Sequence, residues 1–309
     1  EEMQVRAKII THSKGYAFIC LLLFCGFMSH AQVSVDSTRL MNALKALSSQ
    51  EMAGRLSGTN GISRARIFIK NNFNYAGLHE LESNWFIPFD MKAKNYPSQG
   101  VNVVGFLKGE SDSAVVVTAH YDHLGVKNRE IYYGADDNAS GVSVLLEAAW
   151  LFAAKKTTPK YTIIFAALDA EETGLLGGYA LVEYLQKANI PVKLNLNMDM
   201  VSKGFKGELY VCGTYHYPQL KSLIDTDGSR YAKVQLRLGH DQPGSGHDDW
   251  TMSSDHGPFH KQKIPFLYFG VEDHKYYHQP TDTFETTPYS FFYHAAETIT
   301  GFLNEYLYQ

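Results

Sequence analysis

The sequence predicts an α/β fold, a three-layer αβα arrangement with a central mixed, mostly parallel sheet and helices on both faces. Three observations predict it. Short β-branched or apolar runs recur at residues 115–119, 161–168 and 194–198, each the length of a buried strand. Between them lie apolar stretches of helical length, residues 142–154 and 177–188, and that alternation favours parallel neighbours with helices on both sides. Each run also ends in chemically active side chains: His120 and Asp122, then Asp169, Glu171 and Glu172, then Asp199. The crevice beyond the strand ends is where an open α/β sheet binds ligands.

The elements follow in order. Leu40, Met41, Leu44 and Leu47 fit a helix over residues 37–48, with Asp36 or Ser37 as its cap. Residues 52–59 form a glycine-punctuated loop, and Ile62, Ala65, Ile67, Ile69 and Phe73 belong to a second helix ending near Gly77. Residues 85–89 and 101–107 read as strands, and residues 124–133 as a polar loop without a clear period. Ser140 stands where a cap would open the apolar helix 142–154, which Lys155 and Lys156 close at its negative end. Beyond Asp199 the pattern predicts a strand at 208–212, a helix from Pro218 to about Tyr231, strands at 234–238 and 265–271, and a final helix at 291–306. Residues 239–250 have no period and much glycine, as expected of a substrate-facing loop.

A chain of 309 residues, 45% of them hydrophobic, can bury one large core, and one domain is favoured over two. The net charge of −4 and the lack of a long basic run offer no footprint for a nucleic acid. Arg6, Lys8 and Lys14 precede an apolar run at 16–28, and Ser29-His30-Ala31 offers a small-residue cleavage site before Gln32. The expected organisation is a signal peptide at 1–31 and a single domain at 32–309. That run is well short of the ~20 residues of a spanning helix, and Phe24 before Cys25 disfavours a lipoprotein. The expectation is export to a periplasmic or extracellular destination, with no stable membrane anchor after cleavage. Cys212 alone remains beyond the leader, so no internal disulfide is expected and the domain must stand on its core.

One histidine at a strand end is more often structural than a ligand, and one Asp-Asp pair before a helix is more often a cap. Here separate strand or loop ends carry such groups in one chain: His120, Asp136-Asp137, Glu171-Glu172, Asp199, and His278. Acids are seldom buried unpaired, so one shared site explains them better than separate coincidences. A set of imidazoles and carboxylates without thiolate suits zinc and offers too few oxygens for a calcium cage. Two imidazoles and three carboxylates exceed the usual three ligands of one catalytic zinc, so two metals sharing a carboxylate account for them best. Glu171 and Glu172 are neighbours, so one can ligate while the other faces the substrate. Asp122, two residues from His120, falls on the same strand face and can orient the imidazole.

The order of motifs is itself informative. His120-Tyr121-Asp122, residues 134–141, Glu171-Glu172-Thr173-Gly174-Leu175-Leu176-Gly177, Asn197-Met198-Asp199-Met200, Ser254-Asp255-His256-Gly257-Pro258-Phe259 and Tyr277-His278 resemble the co-catalytic, di-zinc aminopeptidase family of zinc exopeptidases. That family includes secreted bacterial leucyl aminopeptidases, glutamate carboxypeptidase II and the transferrin receptor. The resemblance spans about residues 37–309. It implies two zinc ions per chain, with His120 and Asp199 on one, Glu172 and His278 on the other, and Asp137 bridging them. Glu171 is implied as general acid/base and Tyr277 as an oxyanion donor. Asp122 and Asp255 are implied as neighbours that support the ligands, and a cis peptide is implied at Asp137–Asn138. His123, His240, His247, His260 and His274 read as cleft or surface residues, and His256 as supporting or structural.

The activity so implied is hydrolysis of the N-terminal peptide bond of peptides with a free N-terminus. Three alternatives stand beside it. A glutaminyl cyclase shares the fold, but such relatives resemble a single-zinc arrangement and lack the pattern at residues 137–141. A binding module would have lost ligands that this chain keeps. A carboxypeptidase or dipeptidase would need a cation near the metals, such as Arg55, Arg129 or Arg237.

Overall fold

In the structure, a computed structural model that describes residues 34–81, 84–91 and 99–309, the sequence is organised by one buried strand. The expected leader at residues 1–31 lies outside the described residues. Among the described residues no helix is long and apolar enough to cross a membrane. In chain order the helices are α1 (Ser37–Leu47), α2 (Asn60–Ala76), α3 (Gly141–Ala153), α4 (Leu176–Lys187), α5 (His256–Lys261) and α6 (Tyr289–Tyr308). The strands are β1 (His79–Glu80), β2 (Phe86–Asp90), β3 (Gln99–Leu107), β4 (Ser111–His120), β5 (Val126–Lys127), β6 (Glu130–Ile131), β7 (Tyr161–Leu168), β8 (Val192–Met198), β9 (Glu208–Cys212), β10 (Gln235–Leu238) and β11 (Phe266–Gly270).

Strand β4 is that central strand. Its neighbours β7 and β8 both run parallel to it, and β11 continues the parallel set beyond β8. The flanks turn antiparallel, β3 against β7 on one side and β9 against β11 on the other. The sheet is therefore mixed, parallel at its centre and antiparallel where β3 and β9 join it, with β10 parallel to β9 at one edge. Alternation along β4 divides the core: Val115, Val117 and Ala119 join residues of α1, α2, α3 and α6, while Ala114 and Val116 join residues of α4 and α5. Helices cover both faces, as a buried parallel centre requires.

Local chemistry accounts for the helix ends. Asp36 caps α1, its carboxylate accepting the Arg39 N–H at 3.0 Å. Gly77 closes α2 at φ +88°, a left-handed position that costs glycine little. Ser140 does not cap α3. Its Oγ donates back to the Asp136 carbonyl at 2.7 Å, because residues 135–140 already form an irregular wide turn that joins α3 directly. The N–H groups of Asp136 and Asp137 at the true start are taken by the Asp282 carboxylate at 3.0–3.2 Å.

The predicted helix 218–231 is also absent. Only Pro218–Leu223 winds, as a 3₁₀ turn, and Ile224 is extended. The buried Asp225 carboxylate gathers the N–H groups of Ser229, Arg230, Tyr231 and Ala232, so a local side chain outcompetes the helix for them. Two short elements add to the prediction. The loop 124–133 contains the β5–β6 ribbon, and α5 follows the glycine-rich loop. Cys212 lies in the core, its thiol against the His240 carbonyl.

Candidate metal centre

The parallel strands end together, and what they end in forms one cleft. β4 delivers His120, β7 is followed by Glu171 and Glu172, and β8 by Asp199. The turn before α3 adds Asp137, and the segment after β11 adds Tyr277 and His278. Ala170, Met200 and His278 adopt φ of +61°, +59° and +53°, conformations rarely adopted by residues with a side chain. Each marks a sharp turn that aims an acid or imidazole inwards, and such outliers cluster at functional sites. The Asp137–Asn138 peptide is cis, as the resemblance implies.

The donor atoms fall into two groups. His120 Nε2 lies 3.2 Å from Asp199 Oδ1 and 3.4 Å from Asp137 Oδ1. His278 Nε2 lies 3.0 Å from Asp137 Oδ2 and 3.4 Å from Glu172 Oε2. Asp137 thus turns one oxygen to each group. Glu171 stands farther off, its Oε2 4.0 Å from His120 Nε2. Tyr277 stacks on the His278 ring at 4.0 Å and lines the cleft with Glu171, Glu172 and Asp199.

The cleft, about 190 Å³, brings together more acid than base. Among the described residues no lysine or arginine lines it. The field shows in the titrating groups. Burial alone would strip the proton from His278, but Asp137 and Glu172 outweigh it and raise its pKa to about 10. His120 is likewise held well above its ordinary value, against burial, by Asp199 and Glu171. Glu171 goes the other way: burial first, then Asp199 and Asp255, push it well above the carboxylate range. Asp137, despite burial, stays well below that range because His123, His120 and His278 surround it. Carboxylates that hold protons on their imidazoles are short of positive charge. Two groups of N and O donors at 3.0–3.4 Å, sharing one carboxylate, fit zinc at each group.

The supporting residues lie as follows. The Asp122 carboxylate accepts the Glu171 and Glu172 N–H groups at 3.0 and 3.2 Å, and its main-chain oxygen lies 3.2 Å from His120 Nδ1. Asp255 is fully buried beneath the acids and makes no hydrogen bond to any of them among the described residues. Burial, with Asp122 and Asp199 adding to it, pushes it up to about 8. His256 is held to the Trp250 carbonyl at 2.8 Å, and the Trp250 ring lines the cleft.

Three of the histidines read as cleft or surface residues are in fact paired with acids, His240 with the exposed Asp248 at 2.8 Å. His274 Nε2 meets Asp136 Oδ2 at 2.7 Å. His123 is completely buried, with Nδ1 2.8 Å from Glu172 Oε1. With Asp137 and Glu172 it forms a second trio of close donors, beside that of His120, Asp137 and Asp199. The cations considered for a carboxylate-binding site are elsewhere. Arg55 is buried and donates to the carbonyls of Leu47, Tyr121, Tyr133 and Gly134, and Arg237 pairs with Glu208. Arg129 sits at the turn of the β5–β6 ribbon.

Residues 102–303 match the family model described as peptidase family M28. The chain belongs to peptidase family M28. Aminopeptidase YwaD of Bacillus subtilis is 32% identical over 210 residues, 63% of this chain and 42% of that protein. A probable zinc metalloprotease of Pyricularia oryzae is 35% identical over 162 residues, 48% of this chain and 32% of that protein. The chain thus spans less than half the length of these curated relatives. Among solved structures, BSAP, a zinc aminopeptidase from B. subtilis, superposes with a TM-score of 0.69 at 18% identity, covering 89% of this chain and 96% of that one. Porphyromonas gingivalis glutaminyl cyclase superposes with the same TM-score of 0.69 at 18% identity, covering 88% and 98%. At that identity the likeness speaks for the fold alone, and the M28 fold is the α/β architecture described above.

Proposed function

We propose that this M28 protein is an exported zinc-dependent aminopeptidase that hydrolyses the N-terminal peptide bond of peptides. Residues 1–31 would be its leader and 32–309 its single catalytic domain. The observation that carries the reading is Asp137, whose two oxygens face separate donor groups in a cleft rich in carboxylates. In this reading His120, Asp199 and Asp137 hold one zinc, and Glu172, His278 and Asp137 hold the other. A bound zinc pair lowers the pKa of the attacking water and polarises the scissile carbonyl.

The protein's own groups do the rest. Glu171 takes the water's proton and returns it to the leaving amine, a task for a carboxylate whose burial favours the protonated form. Tyr277 keeps its hydroxyl proton, since burial first and then Asp137 and Asp199 raise its pKa, so it can donate to the developing oxyanion. Excess acid attracts a substrate's free α-ammonium group and repels a C-terminal carboxylate. With Arg55, Arg129 and Arg237 engaged or placed elsewhere, a carboxypeptidase is the weaker reading.

The fold likeness to a glutaminyl cyclase favours one competing reading, and one experiment separates them. Protein from Gln32 onward, supplied with zinc, is incubated with peptides beginning with leucine, alanine, lysine or glutamine, with acetylated controls, and the products are weighed. Loss of one N-terminal residue from free amines only is expected. Loss of ammonia from the glutamine peptide alone would establish the cyclase, and no reaction by zinc-loaded protein would leave a binding role.

A further inference from the structure

His123 takes no part in the site as proposed, yet its surroundings are built. The ring is fully buried, the main-chain N–H of His123 donates to the Arg55 carbonyl at 3.2 Å, and the ring Nε2 has no partner among the described residues. Gly134 lies flat against it: a Cβ there would come within 2.6 Å of the His123 Cδ2. Gly134 thus packs on the ring while the Arg55 carbonyl holds the backbone that carries it.

Its polar edge points at Glu172. Nδ1 stands 2.8 Å from Oε1, whereas the other oxygen, Oε2, faces His278 at 3.4 Å. Two donors on one tetrahedral zinc, each about 2.0–2.1 Å from the metal, lie roughly 3.3 Å apart. The His278 contacts to Asp137 and Glu172, at 3.0 and 3.4 Å, match that spacing. The His123 contacts do not: 2.8 Å to Glu172 is a hydrogen-bond length, and 3.7 Å to Asp137 Oδ2 is long. An ionised carboxylate only accepts, so the proton of that bond is on Nδ1.

We infer that His123 is a positioning residue: it holds Glu172 Oε1 by a hydrogen bond, so that Glu172 offers only Oε2 to a metal beside His278. The inference rests on Glu172 and His278 being ligands of a second zinc, as proposed above. A carboxylate pinned at one oxygen cannot rotate to chelate through both, which fixes a one-oxygen ligand and lowers the cost of ordering it when the metal arrives. Outer groups that orient a ligand in this way typically govern about 10–100-fold in metal affinity.

The test is a zinc titration against a competing chelator, using protein from Gln32 onward and the variants His123→Ala and His123→Asn. The asparagine amide nitrogen occupies nearly the place of Nδ1 and can donate to Oε1, whereas alanine cannot. The expected result is two zinc ions in the parent protein, one of them bound about 10–100-fold more weakly in His123→Ala, and near-parental affinity in His123→Asn. If alanine and asparagine weaken that site equally, the imidazole is itself a ligand and the positioning role is overturned. If neither variant changes affinity, the ring merely fills space and the inference falls. A parent protein that takes up fewer than two zinc ions would overturn the underlying two-metal reading instead. Should His123→Ala fail to fold, as circular dichroism would reveal, His123→Gln serves in its place, since its amide reaches past the Nδ1 position.

Discussion

Asp136 and Asp137 are adjacent, both buried, and they end in opposite surroundings. Asp136 Oδ1 accepts from the Ser202 N–H and hydroxyl, each at 2.7 Å, and Oδ2 meets His274 at 2.7 Å. Behind it, Asp282 caps the turn and faces the fully buried Lys203 at 3.4 Å, which also donates to Thr283 and Thr286. Both acids in this knot have fixed donors, and Lys203 stands against Asp282. Among the described residues the Asp137 carboxylate meets only imidazoles, each shared with another acid. The knot is complete as a folded structure, whereas the cleft is balanced only by protons that a divalent cation would displace. Burying an acid therefore does not mark a site. Burying it among groups that are themselves short of positive charge does.

That difference can be broken experimentally. The largest effect is expected at Glu171: Glu171→Gln should lower turnover by about 10²–10⁴-fold while zinc content, measured by elemental analysis, is unchanged. Next comes the knot. Lys203→Met strands the buried Asp282 carboxylate and should cost about 3–5 kcal/mol in denaturant unfolding, with the zinc-binding groups left in place. A cleft acid should behave in the opposite way. In zinc-free protein Asp199→Asn removes one of several crowded like charges, so the unfolding midpoint should hold or rise slightly, while zinc binding weakens. If Asp199→Asn destabilises zinc-free protein as much as Lys203→Met, the contrast between the two regions is wrong.

The smallest effect concerns pH. Burial opposes ionisation of Asp225, but the N–H groups of Ala232, Tyr231 and Arg230 outweigh it and hold its pKa at about 2. A depressed carboxylate contributes stability above its unfolded value, near 3.8, and loses it as pH falls through about 2. Asp225→Asn should therefore be less stable at neutral pH and lose less stability between pH 4 and 2, as read by thermal unfolding across that range.

The sheet and the cleft acids were legible because both rest on local pattern. Apolar runs of strand length and the residue that ends each run survive in any reading of the chain. What escaped the sequence depends on distant or competing partners. Asp282 caps the turn at Asp136 from far along the chain, so Ser140 looked like the cap. Asp225 gathers the N–H groups that a helix at 218–231 needed, although Asp225-Thr226-Asp227-Gly228 is a turn signal visible in hindsight. His123 was missed for a geometric reason. Strand β4 ends at His120, so the alternation that placed Asp122 beside it stops there, and the next residue turns inward instead of out.

The most direct test of the central claim is the zinc content of extensively dialysed protein and of its Asp137→Asn variant. A carboxylate shared between two groups predicts two zinc ions per chain in the parent, and loss of at least one in the variant, whose single carbonyl oxygen cannot face both groups. One zinc or none in the parent, or two retained in Asp137→Asn, would contradict the shared-carboxylate centre.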